Sequence, residues 1–293
     1  MTAERKKGLL FASAGSIFWG SSGIAGQFLL INENIAPEWL TFFRLLCAGF
    51  LLLLLSHFLK GNISAIWKDR RDRRTLLIFS AFGMLGTQYG YFASIHYSNA
   101  PTATILEYLM PILIIFWYCL SEKRWPRTVE IFCALFAITG TALIATGGDF
   151  RSLSISGKAL FWGLLSALAC ALYTVEPVDI IKKYGAPLVV GWGMFLASFV
   201  LLPVVSLTPF TGTVDMPVLL SFAYVVLFGT ICSFVLYLGS VAYILPTEAS
   251  IISAIEPLSS IIFSFLIFHL TFGFWELMGM ALIILAVAVV ARK

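Results

Sequence analysis

Apolar residues dominate the chain in long runs, separated by short stretches of charged residues, proline and glycine. Cutting the chain at those stretches leaves segments of about 17 to 24 residues, the length that an α-helix needs to cross a bilayer. The pattern therefore predicts ten membrane spans. They cover residues 8–31, 38–59, 75–97, 101–120, 128–147, 157–177, 187–207, 218–240, 246–268 and 273–291.

A shift of 146 residues brings the second half of the chain into register with the first. Tyr91, Ser94, Tyr97, Pro111 and Glu130 then fall on Tyr237, Ser240, Tyr243, Pro257 and Glu276. Two halves with an odd number of spans each would lie in opposite orientations across the membrane. We therefore predict an all-α integral membrane fold of ten transmembrane helices in two inverted five-helix repeats, residues 1–150 and 151–293.

The amino-acid composition indicates that lipid, and not water, surrounds most of the chain. Hydrophobic residues make up 60% of the 293 residues and charged residues 12%, whereas a soluble domain carries about 25% charged residues. Such a chain cannot cover its own surface in water. The five cysteines all lie inside apolar runs and the three histidines are scattered at span ends, so the sequence predicts no disulfide, metal site or cofactor.

The basic residues set the predicted orientation, because lysine and arginine concentrate in cytoplasmic loops. One set of alternate loops and termini carries 16 of the 19 basic residues. These are Arg5, Lys6, Lys7, Lys60, Lys68, Arg70, Arg71, Arg73, Arg74, Lys123, Arg124, Arg127, Lys182, Lys183, Arg292 and Lys293. The prediction is a multi-pass protein of the plasma or inner membrane with both termini cytoplasmic. The net charge of +4 is explained by this topology, so no nucleic-acid role is expected.

Three charged residues fall well inside predicted spans, where a charge is costly and marks a functional hypothesis. Arg44 and Glu107 lie at similar depths, which predicts an ion pair between the second and fourth spans. That pair would be either a brace between helices or a site for a proton or a substrate carboxylate. Glu256 lies close to the middle of the ninth span, with functional and structural roles both open.

Prolines and aromatic residues suggest where an internal cavity lies. Pro111 and Pro257 each fall near the middle of a span, where proline breaks the hydrogen-bond ladder of the helix. Trp19 lies mid-span in "FWGSSGIAG", among small residues that allow close helix approach. Helix packing alone is the alternative to lining a cavity. The further candidates for cavity lining are Ser22, Gln88, Tyr91, Tyr173 and Trp192.

Several segments resemble one known family. They include "SIFWGSSGI", "TFFRLL" with Arg44, "NAPTATILEYLMPILIIFWYCLSEKRW" and "PTEASIISAIEPLSSIIFSFLIF". Across essentially the whole chain, the sequence resembles the EamA-type exporters of the drug/metabolite transporter superfamily. The resemblance implies efflux of small metabolites, often amino acids, from a central cavity by alternating access. The family's acidic residue at the end of each half is present as Glu122, but Phe268 stands at the equivalent position of the second half.

The chain contains no G-x-x-x-x-G-K-[ST] phosphate loop, so ATP is not the expected energy source. A gradient, with the proton as the candidate coupling ion, would drive transport of a small-molecule metabolite across the lipid bilayer. The alternatives are a passive facilitator and a drug or toxic-compound efflux carrier with the same fold. An intramembrane enzyme is a more distant alternative, because the sequence shows no cluster of catalytic groups at one interface.

Overall fold

The computed structural model describes residues 3–59, 62–149, 154–240, 243–244, 252–253 and 255–290. Every regular element within those ranges is helical, as predicted. The α-helices are α1 Ala3–Gln27, α2 Pro37–Phe58, α3 Arg70–Ile78, α4 Leu85–Tyr97, α5 Ala100–Glu107, α6 Met110–Ser121, α7 Thr128–Thr146, α8 Gly157–Val175, α9 Val178–Tyr184, α10 Ala186–Leu207, α11 Met216–Val226, α12 Ser233–Ser240, α13 Ile255–Phe268 and α14 Phe274–Val290. A 3-10 turn, Ala65–Trp67, and three π-helical segments, Phe28–Asn32, Phe79–Met84 and Leu227–Cys232, complete the helical elements of this part of the chain.

Some predicted features lie outside the described residues. They are the first part of the predicted ninth span and the basic residues Lys60, Arg292 and Lys293.

Several hydroxyl side chains lie buried inside the bundle, whereas many large apolar side chains are exposed on its surface. Ser16, Ser166 and Thr230 are fully buried, whereas Phe58 and Leu207 are 72% and 86% exposed. The buried hydroxyls hydrogen-bond to backbone carbonyls, as Ser16 does to Ala12 over 2.9 Å. Hydroxyls inside and phenylalanine or leucine outside are stable only where lipid covers the surface. The chain is therefore a membrane protein.

Seven helical segments of the described chain are long and apolar enough to cross a membrane by length and composition. They are Glu4–Asn32, Pro37–Phe58, Ala100–Ser121, Thr128–Thr146, Gly157–Val175, Ala186–Leu207 and Met216–Tyr237. Two shorter apolar helices, Ile255–Phe268 and Phe274–Ala286, follow towards the C-terminus. The predicted third span corresponds to the continuous helical stretch from α3 through α4, which begins with four arginines at residues 70–74.

Side chains in the connecting loops fix several helix starts. Asn99, Ser156 and Asp215 accept the backbone N–H three residues further on, at 2.9, 3.1 and 3.0 Å. These bonds satisfy N–H groups that the first turn of a helix leaves without an intrahelical partner. The polar loop residues that separate the apolar runs therefore also cap α5, α8 and α11.

Turn residues lie near both prolines that the sequence singled out. The fourth span is interrupted at Tyr108 and Leu109, between α5 and α6, and Pro111 is the second residue of α6. In the ninth, Ser253 is a turn residue two positions before the start of α13, whose third residue is Pro257. The Tyr108 and Ser253 hydroxyls are 2.7 Å apart, so the two breaks touch.

The helices pack in closely associated pairs. The most extensive pairs are α2 with α10, α7 with α14, α4 with α8, and α1 with α12. Loop contacts define two ends of the bundle. At the end that we call the Trp39 end, Trp39 Nε1 donates to the Thr208 carbonyl oxygen over 3.0 Å. At the other, the Trp192 end, Trp192 Nε1 donates to the Ile63 carbonyl oxygen over 2.8 Å.

Candidate functional site

Arg44 is buried at 6% exposure on α2 and reaches across to the π-helical segment Leu227–Cys232. Its Nε donates to Thr230 Oγ1 over 2.9 Å, and its Nη2 donates to the Gly229 carbonyl oxygen over 3.3 Å. The guanidinium also lies 5.0 Å from the ring centroid of Phe92, which allows a cation–π contact. A π-helix shifts its carbonyls out of the usual ladder, so this segment offers Arg44 an acceptor.

The predicted Arg44–Glu107 ion pair is not formed in this structure. No carboxylate oxygen of the described residues lies within 4.0 Å of the Arg44 guanidinium, whose hydrogen bonds go to Thr230 and Gly229 instead. Similar depth in the membrane does not ensure that two side chains face each other around their helices. Arg44 nevertheless remains within electrostatic range of both Glu107 and Glu256.

Glu107 is the last residue of α5 and contacts α8. The Ser166 hydroxyl hydrogen-bonds to Glu107 Oε2 and also lies 3.1 Å from the Thr87 carbonyl oxygen. Ser166 has one hydroxyl proton, which can serve only one of these two acceptors. Both contacts are satisfied together when the Glu107 carboxyl carries a proton and donates it to Ser166, which then donates to Thr87.

Glu256 occupies the first turn of α13, immediately before Pro257. Its backbone N–H donates to the Ser253 carbonyl oxygen over 2.9 Å, which is the carbonyl that a proline at position 257 leaves free. Its carboxylate accepts no hydrogen bond from any described residue, and it interacts electrostatically with Glu107 and Arg44. Two acidic groups and one basic group therefore share one region inside the bundle.

Aromatic side chains surround these charges. Tyr91 hydrogen-bonds to Thr104 Oγ1 over 3.0 Å. Trp19 packs on Phe234 and Tyr237, with ring centroids 5.3 and 5.1 Å away. Glu107, Tyr91 and Glu256 each keep part of their accessible surface although protein surrounds them. We define Arg44, Tyr91, Glu107, Ser166 and Glu256 as the central cluster.

The other residues that the sequence analysis proposed as cavity lining lie outside the central cluster. Ser22 is buried and donates to the Trp19 carbonyl oxygen over 2.8 Å. Tyr173 stacks on Phe79 at 5.4 Å. Gln88 is half-buried on α4 and makes no side-chain hydrogen bond with a described residue. Trp192 contacts Ile63 and Trp67 at its own end of the bundle, which corrects the prediction that it lines the cavity with the others.

Sequence reasoning missed Ser166, Thr230 and Tyr108. Serine and threonine are common in membrane helices, so composition does not single out the two that bind Glu107 and Arg44. Tyr108 could have been found from the sequence, because it follows Glu107 directly and lies just before the predicted helix break. The contact between Tyr108 and Ser253 needs the three-dimensional arrangement.

Side-chain contacts join neighbouring segments at both ends of the bundle. At the Trp39 end, Thr211 Oγ1 donates to the Asn34 carbonyl oxygen over 2.8 Å and Thr213 Oγ1 donates to Glu33 Oε2 over 3.0 Å. At the Trp192 end, Lys183 Nζ lies 2.5 Å from Asp72 Oδ2. We call these contacts, with the tryptophan bond at each end, the Trp39 latch and the Trp192 latch.

The Trp192 latch is also an electrostatic contact. The hydrogen bond from Lys183 lowers the pKa of the Asp72 carboxyl, and Tyr184, whose hydroxyl donates to Asp72 Oδ2 over 2.7 Å, lowers that pKa further. The same bond to Asp72 raises the pKa of Lys183. A lowered carboxyl pKa and a raised ammonium pKa keep both partners charged across the neutral range.

Comparisons with known proteins agree with this architecture. A sequence model described as the EamA-like transporter family matches residues 6–146 and, separately, residues 157–292. The chain is 37% identical over 286 residues to YicL, an uncharacterized inner membrane transporter of Salmonella typhimurium, covering 98% of this chain and 95% of that protein. It is 25% identical over 273 residues to YdeK, an uncharacterized transporter of Bacillus subtilis, with 90% of each chain covered. A crystal structure at 15% identity superposes with a TM-score of 0.64 and covers 97% of this chain and 96% of its own, which is a likeness of fold.

Proposed function

Because the chain belongs to the EamA-like transporter family, we propose that it is a secondary transporter that exports small metabolites, such as amino acids, by alternating access. The observation that carries this proposal is the central cluster. Its two carboxylates and one guanidinium are enclosed beside the point where two broken helices touch. Broken helices and intramembrane charges are the usual components of a transporter substrate site.

We propose that ten spans form two inverted halves, residues 1–150 and 151–293. The 146-residue shift maps the Glu107 break onto Ser253. It also maps a cap at the start of α7 onto one at the start of α14: Arg127 N–H donates to Glu130 Oε2, and Gly273 N–H donates to Glu276 Oε2, both over 2.7 Å. Two separate family matches, one per half, agree with this division.

Topology follows from the distribution of charge. The Trp192 end includes the arginine-rich start of α3 and Lys182 and Lys183, so we assign it to the cytoplasm. The Trp39 end then faces outward, and both termini are cytoplasmic. Under this assignment, the substrate enters the central cluster past the Trp192 latch and leaves past the Trp39 latch.

We propose the proton as the coupling ion. The Glu107, Ser166 and Thr87 chain has all its contacts satisfied only with a protonated carboxyl, while the nearby Glu256 carboxylate accepts no hydrogen bond from a described residue. A site that can hold a proton and two interacting carboxylates can exchange that proton for a cationic or zwitterionic substrate. Neither ATP nor nucleic acid has a place in this mechanism.

The test is export from liposomes that contain the purified protein and a mixture of the proteinogenic amino acids. We expect mass spectrometry of the external medium to show faster release of one or a few of them than from protein-free liposomes. Glu107→Gln and Glu256→Gln should slow this release by at least about tenfold while expression stays near normal. The matched control is Glu122→Gln, since that carboxylate is 58% exposed in a loop and binds Arg124.

Other outcomes would change the proposal. Release that is unaffected when an imposed pH gradient is collapsed would indicate a passive facilitator. Release of lipophilic drugs but of no amino acid would indicate a drug efflux carrier. Full activity of Glu256→Gln would reduce Glu256 to a packing residue.

A further inference from the structure

A cavity lies apart from the central cluster, at the Trp39 end of the bundle. Its volume is about 370 Å³, which is within the range of small-molecule sites. It is bounded by the loop before α2, by α4, by α8 and by the loop after α10. The side chains that give it chemical character are Glu38, Tyr89, His96, Tyr97 and Trp162.

Glu38 is the only lysine, arginine, aspartate or glutamate that lines this cavity in the described part of the chain. Its Oε1 accepts a hydrogen bond from the Tyr89 hydroxyl over 2.7 Å. Among the described residues, no cation lies within 4.0 Å of this half-buried carboxylate, and Oε2 accepts no hydrogen bond. A carboxylate with a free oxygen, in a cavity whose lining holds no lysine or arginine, favours a positively charged ligand over an anionic one.

The aromatic rings favour an organic cation. Tyr89 and Trp162 both line the cavity and are perpendicular, with centroids 5.0 Å apart, and Tyr89 is the residue that hydrogen-bonds to Glu38. Lys158 Nζ already lies 5.1 Å from the centroid of Tyr97, which shows an ammonium group on an aromatic face at this wall. A divalent metal would need several oxygen ligands, and no group of three His, Cys, Asp or Glu side chains among the described residues could hold one.

His96 distinguishes a protonated amine from a quaternary one. Its Nδ1 is buried and has no hydrogen-bond partner among the described residues. In the tautomer that carries the ring proton on Nε2, Nδ1 is an acceptor. His96 lines the cavity, but its Nδ1 reaches a ligand only when the imidazole ring turns toward it. A protonated amine can then donate one N–H to Glu38 Oε2 and another to His96 Nδ1, which a quaternary ammonium cannot do.

We propose that this cavity is a binding site for a small organic amine in its protonated form, with Glu38 and His96 as acceptors and Tyr89 and Trp162 as its aromatic walls. The site is separate from the central cluster. Its occupancy does not depend on which substrate is exported. With the outward assignment of the Trp39 end, it would bind amines from the external medium.

The experiment measures binding to the purified full-length protein by isothermal titration calorimetry, without transport. The probes are benzylamine, the quaternary benzyltrimethylammonium and the neutral benzyl alcohol. We expect saturable binding of benzylamine at millimolar concentration or below, and weaker binding of the other two. Because no transport is measured, failure of this proposal and failure of the proposed export are separate results.

Two variants assign the roles of the acceptors. Glu38→Gln keeps an oxygen for Tyr89 but removes the charge, so it should weaken benzylamine binding by at least about tenfold and leave benzyl alcohol unchanged. His96→Leu should remove the preference for benzylamine over benzyltrimethylammonium. Glu33→Gln is the control, because Glu33 is a carboxylate just before α2 that does not line the cavity; this variant should bind benzylamine like the wild type.

Three results would overturn the proposal. They are no saturable heat with millimolar benzylamine, equal affinity for benzylamine and benzyl alcohol, and wild-type affinity in a Glu38→Gln variant that elutes as a folded protein. Retention of the preference for the primary amine in His96→Leu would overturn the role of His96.

Discussion

Arg44 holds the π-helical segment Leu227–Cys232 against α2 through two different nitrogen atoms. Lysine carries its charge on one nitrogen and cannot reproduce this two-point contact. We expect Arg44→Lys to lower the apparent unfolding temperature in detergent by several degrees. Thr230→Val should lower the unfolding temperature of the wild type. It should lower the unfolding temperature of the Arg44→Lys variant by less, because the effects of contacting residues are not additive. Thermal unfolding followed by size-exclusion chromatography measures the two single variants and the double variant.

Thr41 provides the control for this residue-scale prediction. It lies one turn before Arg44 on α2, is fully buried, and its Oγ1 has no hydrogen-bond partner among the described residues. Removing an unpaired buried hydroxyl costs little and can stabilise, so Thr41→Val should keep or raise the unfolding temperature. Equal losses in Thr41→Val and Thr230→Val would contradict the role given to the Arg44 contact.

Among the elements, α7 and α14 pack most closely at two facing glycines. A Cβ added to Gly140 would lie 2.6 Å from the Gly279 carbonyl oxygen and 2.8 Å from Ile283 Cγ1. Both distances are shorter than van der Waals contact, so the helices would have to separate. We expect Gly140→Ala to destabilise the protein by about 1–3 kcal/mol, the usual cost of overpacking. Apparent unfolding temperature and yield of monodisperse protein provide the measurement.

The matched glycine is Gly157, the first residue of α8, where an added Cβ would meet no atom within 4 Å. Alanine is the better helix former, so Gly157→Ala should be neutral or slightly stabilising. If both glycine variants lost the same stability, the loss would come from the backbone and not from the contact between α7 and α14.

The accuracy with which the sequence predicts the boundaries of a helix depends on which residues end that helix. The spans predicted at 38–59 and 187–207 correspond to Pro37–Phe58 and Ala186–Leu207, because proline and polar residues end both the apolar run and the helix. The helix containing the third span begins earlier, at Arg70, since charged residues can remain helical outside the lipid. The π-helical segments have no periodicity or proline that announces them.

The same limit applies to the central cluster. Arg44, Glu107 and Glu256 could be singled out because charged residues are rare inside apolar runs. The partner of Arg44 could not, because depth along a helix is readable from the sequence but direction around it is not. The π-helical turn that presents Gly229 and Thr230 to Arg44 depends on packing between spans nearly two hundred residues apart in sequence.

At the scale of the whole molecule, the proposed transport requires each end to open in turn, yet both latches are formed here. Each latch joins α2 or the segment next to it to α10 or the segment next to it, and α2 and α10 are the helix pair with the most extensive packing. Under the proposed inverted symmetry, the loop before α2 corresponds to the loop before α10. A closed state with both latches formed is then the intermediate between inward-open and outward-open conformations.

Cross-linking tests whether both latches must open. In a variant without the five native cysteines, the pairs Asp72→Cys with Lys183→Cys and Glu33→Cys with Thr213→Cys would each be joined by a short reducible thiol cross-linker. We expect either cross-link to stop amino acid release and reduction to restore it, because a site that can open to only one side cannot complete the transport cycle. Asp69→Cys with Asp72→Cys is the control, since this cross-link lies within the start of α3 and bridges no latch. Unchanged release with either latch cross-linked would mean that this end does not open during transport, and the pathway would have to pass elsewhere.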